Sequence, residues 1–264
     1  MRKVWVAMLS GLTYMPWCYG ETISVEILTD ESYPPYTYAE DGEAVGIYPD
    51  IVHAIDEKLE DFDISIRPVP WKRGLKLIES GRSFALMPPY FHPESRSFIS
   101  PYSHPMLDED VVIFCNNDVI KQSSRKIWPE DFYGLTIGIN SGFNIGGPEF
   151  WQASDNGKLS ISEAKGNQLN IIKLRSRRID CYVNDYISIL WETKRLLEEE
   201  VLEKPLTFSL AMHINTESGY MAYTNVHEER YPYKEKFVRE FDAALIELQN
   251  SGEIAKIVQY YTGE

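Results

Sequence analysis

The chain has 264 residues, 44% hydrophobic and 25% charged, which is the composition of a globular protein with material for one large domain or two ordinary ones. A net charge of −14, with no basic run longer than two residues, excludes a phosphate-backbone binder, so nucleic acid is not an expected partner. Three cysteines and five scattered histidines, with no Cys-x-x-Cys or Cys/His cluster, point away from a metal site, and no motif calls for a cofactor.

The N-terminus reads as an export signal. Arg2 and Lys3 supply the positive start, residues 4–14 form a short apolar run, and Cys18-Tyr19-Gly20 puts small residues before a cut ahead of Glu21. The run is too short to span a bilayer. Cys18 is also where a lipid would attach, but Met15-Pro16-Trp17 carries bulk where such sites want small residues. Residues 1–20 are therefore expected to be a cleaved signal peptide. The mature chain would then be periplasmic, with a net charge of −14 less two basic residues, or −16.

Residues 23–28, Ile-Ser-Val-Glu-Ile-Leu, predict a strand by β-branched content and partial alternation. It runs into Thr29-Asp30-Glu31-Ser32-Tyr33-Pro34-Pro35-Tyr36-Thr37-Tyr38, a proline-broken loop whose tyrosines suit a flat or cationic ligand. Gly46-Ile47-Tyr48-Pro49-Asp50 leads into a helix with Ile51, Val52, Ile55 and Leu59 at helical spacing. Residues 64–69 predict the next strand, then Pro70-Trp71-Lys72-Arg73 opens a short helix that ends at Gly81. Phe84-Ala85-Leu86-Met87 is a buried-looking run. It feeds Pro88-Pro89-Tyr90-Phe91-His92-Pro93-Glu94-Ser95-Arg96, read together with residues 97–102 as one loop leaving a strand. Arg96 is the one formal cation between Arg82 and Lys121. Its guanidinium fork matches a carboxylate, and a surface pairing with Glu94 or Asp108 is the plainer alternative.

A second run of the same kind follows. Residues 111–115 and 135–139 predict strands, and Ser141-Gly142-Phe143-Asn144-Ile145-Gly146-Gly147 is a glycine-rich loop without P-loop spacing or lysine. Residues 179–183 predict a third strand ending at Asn184-Asp185-Tyr186, and residues 220–223 a late one. The closing helical stretch carries Phe237, Phe241, Ala244, Leu245 and Leu248 on one face, then Ile254, Ile257 and Val258. Strand–helix alternation predicts an α/β fold. Two lobes are joined by two crossings, near residues 106–110 and 215–219, with a cleft between facing strand-end loops. One lobe takes residues 21–108 plus 217–264, the other residues 109–216.

These pieces resemble the periplasmic solute-binding proteins of polar amino-acid uptake, the lysine/arginine/ornithine- and histidine-binding class (family 3). Four stretches carry the likeness: Thr29 through Tyr36, Gly46 through Ile51, Glu94-Ser95-Arg96 ahead of Phe98 through Tyr102, and Ile179 through Asp185. Their order and spacing cover essentially all of residues 21–264. The resemblance implies a two-lobed periplasmic binding protein-like (type II) fold, each lobe a central mixed sheet flanked by helices. It also implies a monomeric carrier that closes over a small solute and serves ABC-transporter membrane subunits or a membrane sensor.

By the same resemblance, Arg96 of one lobe holds a ligand α-carboxylate and Asp185 of the other accepts from its α-ammonium, while Tyr33 and Trp71 sandwich the side chain. Asp30, Tyr90, Phe91 and Asn144 complete the implied site. The chain departs from the family where serine or threonine is usual: Pro89, Tyr90, Phe91 and Pro93 stand there, and Phe143 and Asn144 follow the Gly142 turn. The site is thus more aromatic, and Pro70-Trp71-Lys72-Arg73 resembles a divergent branch in which Arg73 is a second anion contact or a solvated charge. Aromatic, cationic or peptide-like ligands stay open. An enzyme of the cyclohexadienyl dehydratase kind, drawing protons from Asp185, Glu94 or His92, is the competing reading, although no nucleophile–base pairing is visible. The fold also sets the strand of Cys115 antiparallel beside that of Cys181, so the two are expected as neighbours. A disulfide between them is disfavoured only by the demanding cross-strand geometry.

Overall fold

The computed structural model describes residues 22–122 and 125–263, so the expected signal peptide and Cys18 lie outside the described residues. The chain enters through β1 (Ile23–Asp30) and a small antiparallel sheet of β2 (Ser32–Tyr33), β3 (Thr37–Glu40) and β4 (Glu43–Val45). Helix α1 (Ile47–Asp56), β5 (Phe62–Val69), α2 (Trp71–Glu79) and β6 (Ala85–Met87) follow, and β7 (Ile99–Tyr102) closes this part. The chain crosses along β8 (Leu107–Asn116) to α3 (Asn117–Gln122), β9 (Thr136–Asn140), α4 (Pro148–Asp155) and β10 (Ser160–Ala164). Then come α5 (Gly166–Arg175), β11 (Cys181–Asp185) and α6 (Tyr186–Glu198). It returns along β12 (Phe208–Gly219) to β13 (Ala222–Thr224) and ends in α7 (Lys234–Ser251) and α8 (Glu253–Thr262).

Two five-stranded mixed sheets result, ordered β5-β1-β6-β13-β7 and β10-β9-β11-β8-β12. In the first, β1 runs parallel to β5 and β6, and in the second, β9 runs parallel to β10 and β11. Parallel neighbours need crossovers, and the helices that supply them cover the sheet faces with apolar stripes. Helix α1 buries Ile47, Ile51, Val52 and Ile55, and α7 buries Phe237, Phe241, Leu245 and Leu248. Each such side chain contributes roughly 1.5–3 kcal/mol of burial. The last helical stretch breaks at Gly252, whose φ of 77° is a conformation glycine adopts without strain.

Several boundaries differ from the sequence reading for local reasons. The first helix starts four residues ahead of Ile51, because the Gly46 turn lets the Ile47 and Tyr48 amides donate to the carbonyls of Pro35 and Tyr36. Residues 99–102, read as loop, form β7, since β13 offers an antiparallel partner that local sequence cannot reveal. The passage at residues 215–219 is the tail of a 12-residue edge strand, paired with β8 from Leu107↔Gly219 to Asn116↔Phe208. The two crossings thus lie side by side as one ribbon. Cys181 stands opposite Cys115 in the β11–β8 register, and the two fully buried sulfurs are bonded, so cross-strand geometry did not prevent the disulfide. Among the described residues no helix is long and apolar enough to cross a membrane.

Candidate functional site

Parallel strands bring their C-terminal ends to one edge of each sheet, and the loops there face one another. From the first sheet come the end of β1 with Asp30 and Tyr33, the start of α2 with Trp71, and the proline loop after β6. From the second come the turn after β9 and the end of β11. The proline loop is tied to the crossing ribbon: the Tyr220 amide donates to the Pro89 carbonyl at 3.1 Å, and Tyr90 bridges to Gly219.

Six of the eight residues expected at the site, Asp30, Tyr33, Trp71, Tyr90, Arg96 and Asn144, line one interlobe cavity of about 20 Å³. That is room for about one water. Arg96 is only 7% exposed, and among the described residues it has no ion pair with Glu94, Asp108 or any other acid. Its guanidinium lies 5.7 Å from the centre of the Trp71 ring, and Nη1 has no hydrogen-bond partner. Burial alone lowers its pKa, and no neighbouring carboxylate offsets that. Asp30 accepts from the Ser32 amide at 3.0 Å, and burial pushes its pKa up to about 7. His92 also lines the cavity with Nε2 unpartnered; burial and then Arg96 push its pKa down. Arg73 is exposed and does not line the cavity.

Phe91 and Asp185 are not brought to this cavity. Phe91 is 53% exposed and packs edge-on against Tyr102 in an outer groove. Asp185 is buried at the end of β11, where Oδ1 caps α6 by accepting from the Ser188 amide at 2.8 Å. Its Oδ2 has no hydrogen-bond partner, and it does not line the cavity, whose wall includes the layer of Tyr33 and Tyr90. Behind that layer sits Glu109 of β8, fully buried. One oxygen accepts from Tyr33 and from Tyr90 (2.6 Å), the other from Tyr48 (2.5 Å). Burial pushes Glu109 up to about 7 against the lowering pull of these hydroxyls, and burial with Glu109 pushes Asp185 up. Glu109 lay inside a passage read as mere linker. Its one signal was an acidic residue just ahead of an apolar strand, facing no nearby cation.

Phe143, expected at the site as one of its added aromatics, takes a place that local sequence did not give. Its ring packs edge-on against both Tyr33 (5.3 Å between centroids) and Trp71 (5.9 Å), filling the slot expected for a ligand side chain. The Gly142 turn delivers it, and the Gly142 carbonyl accepts from Trp71 Nε1 at 3.2 Å. Further direct bonds join the lobes. The Pro34 carbonyl accepts from Ser188 Oγ (2.6 Å) and Asn167 Nδ2 (3.2 Å), and Lys72 pairs with Glu163 at 2.6 Å. The cleft is therefore shut. Chemically, it offers a buried, unneutralised guanidinium on an indole face, one carboxyl group and an aromatic wall. Among the described residues no group of three His, Cys, Asp or Glu side chains is placed to hold a metal.

No curated protein matches the sequence. Solved structures do match in fold. A histidine kinase sensor domain with similarity to periplasmic binding proteins has a TM-score of 0.73 at 17% identity, over 92% of this chain and 97% of its own. The arginine-, lysine-, histidine-binding protein ArtJ of Geobacillus stearothermophilus gives 0.70 at 17%, over 91% and 96%. A substrate-binding protein of an amino acid ABC transporter gives 0.67 at 18%, over 91% and 100%. At these identities the likeness is one of fold. The family profile of the bacterial extracellular solute-binding proteins, family 3, matches residues 25–264, and the chain belongs to that family.

Proposed function

We propose that this protein is a periplasmic binding protein that captures a small organic solute carrying a carboxylate and hands it to an ABC importer. The observation that carries this reading is Arg96: a guanidinium removed from water, with a free donor, no acidic partner and an aromatic face beneath it. A buried charge without a partner is costly. A ligand carboxylate supplies the partner with two parallel charge-assisted hydrogen bonds. Asp30, not Asp185, is the carboxyl group available to a ligand amine in the same cavity. Tyr33 and Trp71 grip the rest of the solute once Phe143 withdraws. Opening about the β8–β12 ribbon admits the ligand, and closure is a population shift driven by contacts that only the closed form completes.

Support for an amino acid-like solute comes from the matched proteins named for binding arginine, lysine and histidine and for amino acid transport. The sensor-domain match keeps a membrane signalling partner as the alternative recipient. An enzyme reading draws on one observation, the Glu109 acid with its pKa near 7. Glu109 does not line the cavity, so it lacks the reach a general acid needs. The test is native mass spectrometry of gently purified protein, followed by a thermal-shift screen of amino acids, amines and aromatic acids. A retained carboxylate that also raises Tm supports the proposal, with about 2.7 kcal/mol expected at a hundredfold excess over Kd. Binding only of compounds without an anionic group, or turnover with no stable complex, contradicts it.

A further inference from the structure

Glu109 belongs to neither the cavity nor an ordinary core. It sits where the first crossing strand leaves one lobe, and its three hydroxyl donors come from three separate elements of that lobe: Tyr33 of β2, Tyr48 of α1 and Tyr90 of the proline loop. Asp185 belongs to the same sheet as Glu109, standing opposite Val111 of β8 two residues along, and Tyr36 of the first lobe lies beside both acids. Across the ribbon, Glu217 stands opposite Glu109 in register and is bonded by Asn215 at 2.7 Å. Among the described residues no lysine, arginine or histidine forms an ion pair with Glu109 or Asp185. Among the described residues the groups hydrogen-bonded to Glu109 are all tyrosines, and the nearest basic group on these elements is the His92 ring of the proline loop, which feels Glu217.

Two carboxylates brought together out of water without a cation cannot both stay ionised. The two acids share a sheet and stay neighbours when the lobes part, but the first-lobe tyrosines that cover them, Tyr33 and Tyr90, lift away, so solvent reaches the pair and both pKa values fall toward their ordinary range. From this geometry we propose that closure of the two lobes is proton-linked: the shut form takes up a proton on the Glu109–Asp185 pair and releases it on opening. Glu109 is a positioning residue. Protonated, it leaves the closed pocket uncharged; ionised, it is held by the Tyr33, Tyr48 and Tyr90 hydroxyls but puts a charge in a water-free pocket, a cost that exceeds the gain from those bonds and favours the open form. The direction follows from the raised pKa of the closed state, in which Glu109 stands near 7. Closing is favoured below that pH and weakened as pH rises through it. The same layer of Tyr33 and Tyr90 forms the cavity wall, so the proton and the solute act on one set of side chains. The inference rests on the opening and closing motion proposed above, but not on the identity of any ligand.

Hydrogen exchange of the ligand-free protein tests it. Residues 33–36 and 186–189 meet across the lobes through the Pro34 carbonyl and Ser188. After correction for the intrinsic base-catalysed rate, their protection is expected to fall about 50- to 100-fold between about pH 5 and about pH 8. Amides inside β1 and β6 should keep theirs. Glu109→Gln, which keeps the size but cannot ionise, should flatten the titration. Where circular dichroism shows that variant unfolded, Tyr48→Phe replaces it. Removing one donor to the ionised carboxylate should move the midpoint to higher pH. Protection independent of pH in the wild type overturns the proposal, as does a wild-type titration in Glu109→Gln or an unmoved midpoint in Tyr48→Phe. The measurement uses no solute, so a chain that titrates as described yet binds nothing refutes only the function proposed above.

Discussion

Arg96 is held in place by packing and not by a counter-ion, which is why its surroundings read as a site and not as a structural ion pair. The sequence made it conspicuous as a lone cation beside a proline loop, and that much was legible. Its presumed opposite, Asp185, was not, because a one-dimensional pattern does not show that one carboxylate oxygen is committed to a helix cap. Nor does it show that Glu109 is buried under the hydroxyls of Tyr33, Tyr48 and Tyr90. Phe143 supplies a prediction at this scale. It is half-buried and wedged between Tyr33 and Trp71, so Phe143→Ala should lower the stability of the ligand-free protein by about 2 kcal/mol. The same change opens the slot, so solutes with bulky side chains should gain affinity relative to small ones. Paired denaturant titrations and a thermal-shift series over side-chain size check both halves. Loss of binding for every solute would show that Phe143 contacts the ligand and does not stand in its place.

Among the elements, the β8–β12 ribbon carries most of the consequences. Gly219 lies at its end. A methyl group there would collide with the Tyr48 hydroxyl and come within 3.2 Å of Glu109 Oε1. Gly219→Ala is expected to cost about 2–4 kcal/mol, because backbone and a buried ring must shift together. An unfolding midpoint equal to wild type would show that the ribbon yields more easily than its packing suggests. The same ribbon holds the Cys115–Cys181 bond, with 66 residues between the partners. Closing a loop of that length stabilises by about 4 kcal/mol in the chain-entropy treatment. The double variant Cys115→Ser/Cys181→Ser should lose about 2–4 kcal/mol in urea denaturation, and reductant should leave the folded wild type largely unchanged because both sulfurs are buried. The adjacency of the cysteines was readable from the order of strands. The bond depends on two directly opposed residues, a matter of register that only the pairing fixes. Strands β7 and β12 were misjudged for the same reason: each is defined by a partner far away in the chain.

For the molecule as a whole, the strand–helix order was enough to give two lobes and a cleft, because parallel strands leave few ways to connect them. It did not give the shut cleft, which is a property of side chains meeting across the lobes. The folded molecule buries two acids whose pKa values rise to about 7, Asp30 and Glu109. A raised folded value means the native state holds protons that the unfolded chain has released. The associated stability is fully present below the ordinary carboxylate range and is lost as pH rises through about 7. For Glu109 alone the loss is at most about 3 kcal/mol. The urea midpoint should therefore fall between about pH 5 and about pH 7.5 and level off above, with a shallower slope in Glu109→Gln. A midpoint that climbs over that interval would mean the exposed carboxylates govern the pH response. The central claim is capture of an anion by Arg96, and calorimetric titration of the retained carboxylate into wild type and Arg96→Ala tests it most directly. We predict a loss of affinity of about 100-fold or more in a variant that keeps its fold; equal affinity in the two proteins would contradict it.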